Sequence, residues 1–270
     1  MTLRLPGWWQ ELTSPEFSAL DPETTVALLP VGAIEQHGPH LPVAVDTCLN
    51  EAIVRRALER MSEGAPVLVL PTSAVGKSNE HIDFPGTLTL SGETLARVWY
   101  EIGASVRRAG VRKLVLFNSH GGQPQVMQIV ARELRIDHQM LVVAASWYSW
   151  GLPEDLFDAA EVRHGIHAGA IETAMMLAVR PDLVAMAAAA DFVPVTVADD
   201  EEYPRLRALG AAGLGWQAQD LHAEGACGNA GAGGAEAGRA VIEHAARCLA
   251  ELLGETVRFP LHRLRERPCA

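Results

Sequence analysis

The sequence predicts an α/β fold, a mostly parallel sheet covered by helices on both faces. Two observations predict it. Short apolar runs bounded by turn chemistry alternate with longer stretches of helical spacing. The runs are apolar without polar alternation, as in strands buried on both faces. A third pattern agrees: polar, metal-competent residues follow two of these runs directly, where open parallel sheets bind ligands.

The elements follow in chain order. After a segment carrying Trp8 and Trp9, Thr25–Val31 reads as a buried strand, and Thr47–Met61 as a helix with Leu49, Ile53, Ala57 and Leu58 on one side. Val67–Leu70, bracketed by Pro66 and Pro71, is a second strand. Ser91–Gly110 reads as a long amphipathic helix, with Ser91 as N-cap and Gly110 as stop. Lys113–Phe117 is a third strand, Gly122–Arg135 a helix, and Met140–Ala145 a strand. Ala168–Val179 is helical and ends ahead of Pro181; a glycine-rich stretch, Gly225–Gly234, precedes a last helix, Ala235–Leu253. No internal repeat and no long polar linker appears, so residues 1–270 read as one domain.

Composition narrows the function classes. Of the 270 residues, 49% are hydrophobic and 20% charged, as expected of a globular chain with a sizeable core. No apolar run approaches the ~20 residues of a membrane span, and no signal-peptide pattern is visible, so a cytoplasmic protein is expected. The net charge of −11 lacks the basic footprint of a nucleic-acid binder. The acidic run Asp199–Glu202 reads as a solvated loop. Cys48, Cys227, Cys248 and Cys269 are scattered and read as reduced, incidental thiols.

The chemistry collects after the strands. The first is followed by Glu35, His37 and then Asp46 at the start of a helix; the third by Ser119, His120, Gly121 and Gly122. Glu35 and His37, two residues apart, point to one side of an extended segment, and Asp46 can fold back over them. Carboxylates with neutral imidazoles suit zinc, manganese or iron(II), and a carboxylate such as Asp46 can bridge two ions. A Ser119–His120 nucleophile pair is disfavoured, because adjacent residues in an extended loop point apart. Glu172 can be a further ligand or hold a metal-bound water, and His167 can shuttle a proton near neutral pH. The blander reading makes these two a capping histidine and a surface glutamate. The segment Ser78–Thr87 follows the second strand, and its polar groups, Ser78 and His81 among them, can orient a substrate.

Four ordered motifs, PVGAIEQHGPHLPVAVD, NEHIDFPGT, NSHGG and HAGAIET, resemble those of the creatininase (creatinine amidohydrolase) family over about residues 30–181. The resemblance implies a three-layer α/β/α sandwich, two divalent metal ions, and hydrolysis of a cyclic amide, formamide or related C–N bond. It also implies a homo-oligomer, commonly a hexamer. By that likeness Glu35 and His120 bind one ion, His37 the other, Asp46 bridges both, and His167 contacts substrate and assists proton transfer. Creatinine-hydrolysing members carry an aromatic residue and then a glutamate where this chain has Gly121 and Gly122, and a tryptophan where it has Arg163. The second ion therefore needs another ligand, for which Glu172 is the candidate, and Arg163 can pair with an anionic substrate group. The pattern resembles the broader family, which includes formylamino-pyrimidine deformylases and a peptide-trimming member of the mycofactocin pathway. The expected mechanism is attack of a metal-activated hydroxide on an amide carbonyl, with His167 protonating the leaving nitrogen. The rival expectation is a catalytically silent member that binds metal and ligand as a sensor or scaffold.

Overall fold

A computed structural model describes residues 4–210 and 212–265. Cys269 lies outside the described residues. Five strands, β1 (Gly7–Trp8), β2 (Val26–Val31), β3 (Val67–Val69), β4 (Lys113–Asn118) and β5 (Leu141–Ser146), form one sheet among the described residues. All neighbours are parallel, in the order β1-β3-β2-β4-β5. The helices are α1 (Ser14–Phe17), α2 (Val45–Glu59), α3 (Gly92–Arg108), α4 (Pro124–His138), α5 (Ala159–His164), α6 (Ala170–Val179), α7 (Thr196–Glu202), α8 (Ala218–Leu221) and α9 (Ala235–Arg258). A short antiparallel pair, β6 (Asp191–Phe192) and β7 (Gly228–Asn229), lies outside the main sheet.

Strand alternation divides the interior into two cores. Val26 and Leu28 of β2, with Val115 and Phe117 of β4, meet α2, α6 and α9 through Ile53, Met175 and Leu249. Ala27, Leu29 and Val31, with Leu114 and Leu116, point the other way onto α3 and α4 through Leu95, Trp99 and Leu134. Because side chains alternate along a strand, apolar residues at every position require both faces to be covered. The predicted three-layer α/β/α architecture is therefore the observed one.

Two features of this frame position the chemistry. The chain leaves β2 for β3 on one side and reaches β4 on the other, so β2 and β4 are neighbours whose loops diverge, the arrangement that opens a crevice in such sheets. Their last residues, Val31 and Asn118, are paired, which sets the segments carrying Glu35 and His120 side by side. Helix α3 is capped as the sequence suggests, Thr94 N donating to Ser91 Oγ at 3.1 Å.

Several boundaries differ from expectation for identifiable reasons. Helix α4 starts at Pro124 rather than Gly122, since Gln123 turns inward and donates to Gly32 O and Asn118 Oδ1. Helix α6 starts at Ala170 rather than Ala168, whose φ of 55° is left-handed and breaks the helical path. The acidic run expected to be a loop forms the end of α7, where Asp200 pairs with Arg163 and Arg207.

Candidate metal centre

Glu35 and His37 follow β2, Asp46 lies in the first turn of α2, and His120 lies just beyond β4; all four are nearly inaccessible to solvent. Asp46 Oδ1 is 4.0 Å from His37 Nε2, and its Oδ2 is 3.5 Å from His120 Nδ1. One carboxylate thus presents an oxygen to each imidazole. Glu35 Oε2 is 3.2 Å from His120 Nδ1, and Glu172 Oε2 is 3.8 Å from His37 Nε2. Ala168 N donates to Glu172 Oε2 at 2.5 Å and fixes that side chain.

Backbone carbonyls determine which ring nitrogens face inward. His37 Nδ1 donates to Glu35 O at 2.9 Å, His120 Nε2 to Lys77 O at 2.8 Å, and His167 Nε2 to Gln36 O at 2.7 Å. A carbonyl can only accept, so each ring is left with its other nitrogen aimed at the carboxylates. That is the outer support metal-binding histidines use to set tautomer and orientation. His81 is different. Gln36 accepts from Gly38 N and donates to Gly225 O, so its amide nitrogen also donates to His81 Nδ1, at 2.7 Å. The His81 Nε2–H then faces Glu35 Oε1 at 3.4 Å, a donor to that carboxylate rather than a ligand. The rings of His37, His167 and His81 pack in series, with centroids 4.2 and 4.3 Å apart.

Three overlapping groups could hold a cation: Glu35, His37 and His167; Glu35, Glu80 and His120; and His37, Asp46 and Glu172. Glu35 Oε2, His37 Nε2 and Asp46 Oδ2 are buried without a hydrogen-bond partner. Orphaned polar atoms of this kind are costly unless something pairs with them, and here three from separate residues converge. Oxygen and imidazole donors without thiolate fit zinc, manganese or iron. The residues therefore fit the metal chemistry expected of them.

The protein's own charges oppose one another in this cluster. Burial, then Glu35, pushes the Asp46 carboxyl well above the usual range. Burial also penalises the Glu35 carboxylate, but His120 more than compensates and holds it well below that range. Burial disfavours a charged His120, yet Glu35 and Asp46 outweigh it and push the ring up to about 10. Burial, helped by His37, lowers His167 to about 4, and burial with His167 lowers His81 to about 2.

Known proteins resemble this chain in sequence and in fold. The family description "Creatininase: Creatinine amidohydrolase" matches residues 10–253. The chain belongs to the creatininase family. It is 34% identical over 211 residues to a creatinine amidohydrolase of Pseudomonas putida, covering 72% of this chain and 80% of that protein. It is also 34% identical over 161 residues to a mycofactocin precursor peptide peptidase of Mycolicibacterium smegmatis, covering 58% of this chain and 59% of that one. A solved manganese creatininase superposes with a TM-score of 0.74 at 27% identity, over 93% of this chain and 99% of that one. A mutant creatininase complexed with creatine gives 0.75 at 29% identity, over 93% and 99%.

In this creatininase-family chain the structure brings together Glu35, His37, Asp46, His120, His167 and Glu172. Ser78 is fully buried with its Oγ 3.4 Å from His120 Nε2, and His81 is buried against Glu35. Arg163 lies outside the cluster, its guanidinium paired with Asp200. Ser119 Oγ donates to Asp46 O at 2.8 Å, pointing away from the ring of His120 as expected of adjacent residues. Sequence reasoning missed Glu80 as a ligand candidate and Gln36 as the amide tying His81 to Gly225. The absence of a side chain at Gly122 was the available signal for Glu80, since a Cβ there would overlap Glu80 Oε1.

Proposed function

We propose that this chain is a metal-dependent amidohydrolase holding two divalent ions, zinc, manganese or iron, and cleaving a cyclic amide, formamide or related C–N bond of a small molecule. The convergence of the buried, partnerless Glu35 Oε2, His37 Nε2 and Asp46 Oδ2 carries this reading. Glu35, His120 and Glu80 would hold one ion, His37 and Glu172 the other, with Asp46 shared. Ions held by these residues would supply Lewis acidity, lowering a water's pKa from about 15.7 toward about 7 and polarising the scissile carbonyl.

The chain's residues supply the rest. The carbonyls of Glu35, Lys77 and Gln36 keep the three imidazoles in register, so ligand orientation is set before substrate arrives. His167, neutral at physiological pH, keeps Nδ1 free 3.8 Å from Glu35 Oε1 to take a proton and return it to the leaving nitrogen. Ser78 and His81 act behind His120 and Glu35 as supports. Arg163 would meet an anionic substrate only by giving up Asp200. We place this activity in a single domain of a homo-oligomeric cytoplasmic enzyme. The mycofactocin peptidases among its relatives favour a second reading, a peptide C–N bond as substrate.

The test is a screen of cyclic amides, formamides and short peptides against chelator-stripped protein reloaded with manganese, zinc or iron. The proposal expects metal-dependent hydrolysis of one class. Metal uptake without turnover of any class would instead favour a silent binding protein, and undiminished turnover after stripping would refute the mechanism.

A further inference from the structure

Glu161 is a buried carboxylate that the proposed chemistry does not use. It sits on α5 and is 6% exposed, yet among the described residues it makes no ion pair with a basic side chain. Its hydrogen-bond partners are backbone N–H groups. Oε1 accepts from Ala170 N at 2.6 Å, in the first turn of α6, and Oε2 accepts from Asn229 N at 2.9 Å, in β7. A carboxylate at a helix N-terminus, taking one of its free N–H groups, is well placed electrostatically.

The surroundings are shaped for it. A Cβ at Gly165, Gly169 or Gly228 would overlap a carboxylate oxygen of Glu161. Three glycines, two from the α5–α6 loop and one from β7, therefore make room for one side chain. The segment between the first two holds His167, whose O accepts from Cys227 N at 2.8 Å, and then Ala168, fully buried with a φ of 55°. Side chains rarely adopt that conformation, and it persists only where the surroundings over-determine it. From Ala168 the chain sends His167 toward Glu35 on one side, and on the other its N–H fixes Glu172.

We propose that Glu161 is the positioning residue of the cluster's Glu172 side: it ties α6 to β7, holds Ala168 left-handed, and thereby aims His167 and Glu172. The purpose of that aim rests on the two-ion reading above.

The test is manganese binding by equilibrium dialysis, with metal per chain counted, on the full-length protein. Glu161→Gln keeps the shape but turns an NH2 toward a backbone N–H. Lys113→Met, remote from the cluster, serves as a variant that lowers stability alone. The wild type should bind two ions. Glu161→Gln should fold, keep one ion, and bind the other about 10- to 100-fold more weakly, while Lys113→Met binds both normally. Two equally tight ions in Glu161→Gln, with only a lowered melting temperature, would overturn the proposal alone. A wild type that binds no manganese would overturn the metal reading and the proposal with it. Should Glu161→Gln fail to fold, Gly169→Ala, whose methyl meets Glu161 Oε1, decides in the same way: a weakened second ion supports the role, unchanged binding refutes it.

Discussion

The carboxylate of Glu80 occupies the space that a side chain at residue 122 would fill: a Cβ on Gly122 would overlap Glu80 Oε1 and crowd His120 Nε2. The two come from different loops, one after β3 and one after β4. Glu80 Oε1 lies 3.4 Å from His120 Nε2, and the same carboxyl group is within ligand distance of Glu35. Gly122 has no left-handed φ, so alanine there is tolerated by the backbone and excluded by the Glu80 carboxylate and the His120 ring. Gly122→Ala is expected to displace Glu80 and weaken one of the two proposed ions about tenfold or more, with the fold intact. Glu80→Gln should do the same. Metal titration and circular dichroism check both.

Metal uptake should release protons. In protein stripped by chelator, His120 carries a proton up to about pH 10 and the Asp46 carboxyl holds its own well above the ordinary carboxylate range. Cations must displace those protons, so affinity rises with pH across pH ~6–8. The sign for stability is opposite. His120 is raised in the folded chain, so its contribution is full below the unfolded value near ~6.5 and is lost as pH climbs toward about 10. Calorimetry in buffers of differing ionisation enthalpy measures the release. Binding that is indifferent to pH and buffer would contradict the assignment.

Lys113 opens β4 and is wholly buried, its side chain reaching the C-terminal end of α9, where Nζ donates to Thr256 O, Val257 O and Phe259 O at 2.9, 2.7 and 2.8 Å. The ammonium caps the last carbonyls of the helix end, where intrahelical N–H donors run out. Lys113→Met should cost about 2–3 kcal/mol of stability, read from urea denaturation, with metal content and turnover unchanged.

Cys227 is buried, and burial together with Glu161 pushes its thiol up to about 12. Only the thiolate attacks alkylating reagents. Iodoacetamide at pH ~8 should therefore label the half-buried Cys48 and Cys248 first and Cys227 only on unfolding, as peptide mass mapping can show.

The sheet and four of its ligand candidates were legible because strand ends in a parallel sheet share an edge. Knowing that Glu35 and His37 follow one strand and His120 another is enough to bring them together once β2 and β4 are neighbours. Glu80 was harder to single out, since it lies in a loop without periodicity and its relation to Gly122 exists only in three dimensions. Glu161 looks like any acidic residue on a short helix. What gives it meaning, Gly165, Gly169 and Gly228 clearing space around it, is spread along the chain. The glycine-rich stretch was visible as composition, but its task was not: Gly225, at φ 68°, leaves room for the Gln36 amide, and Gly228, at φ 113°, for Glu161. Helix α6 begins two residues later than its sequence suggests because nothing local announces that Ala168 is left-handed.

The central claim is that Asp46 is shared between two ions, one against His37 and one against His120. Counting zinc or manganese per chain in wild type and in Asp46→Ala, both confirmed as folded, tests it most directly. The account predicts two ions in the wild type and severe loss of both in the variant. Two ions retained in Asp46→Ala, or none in the wild type, would contradict it.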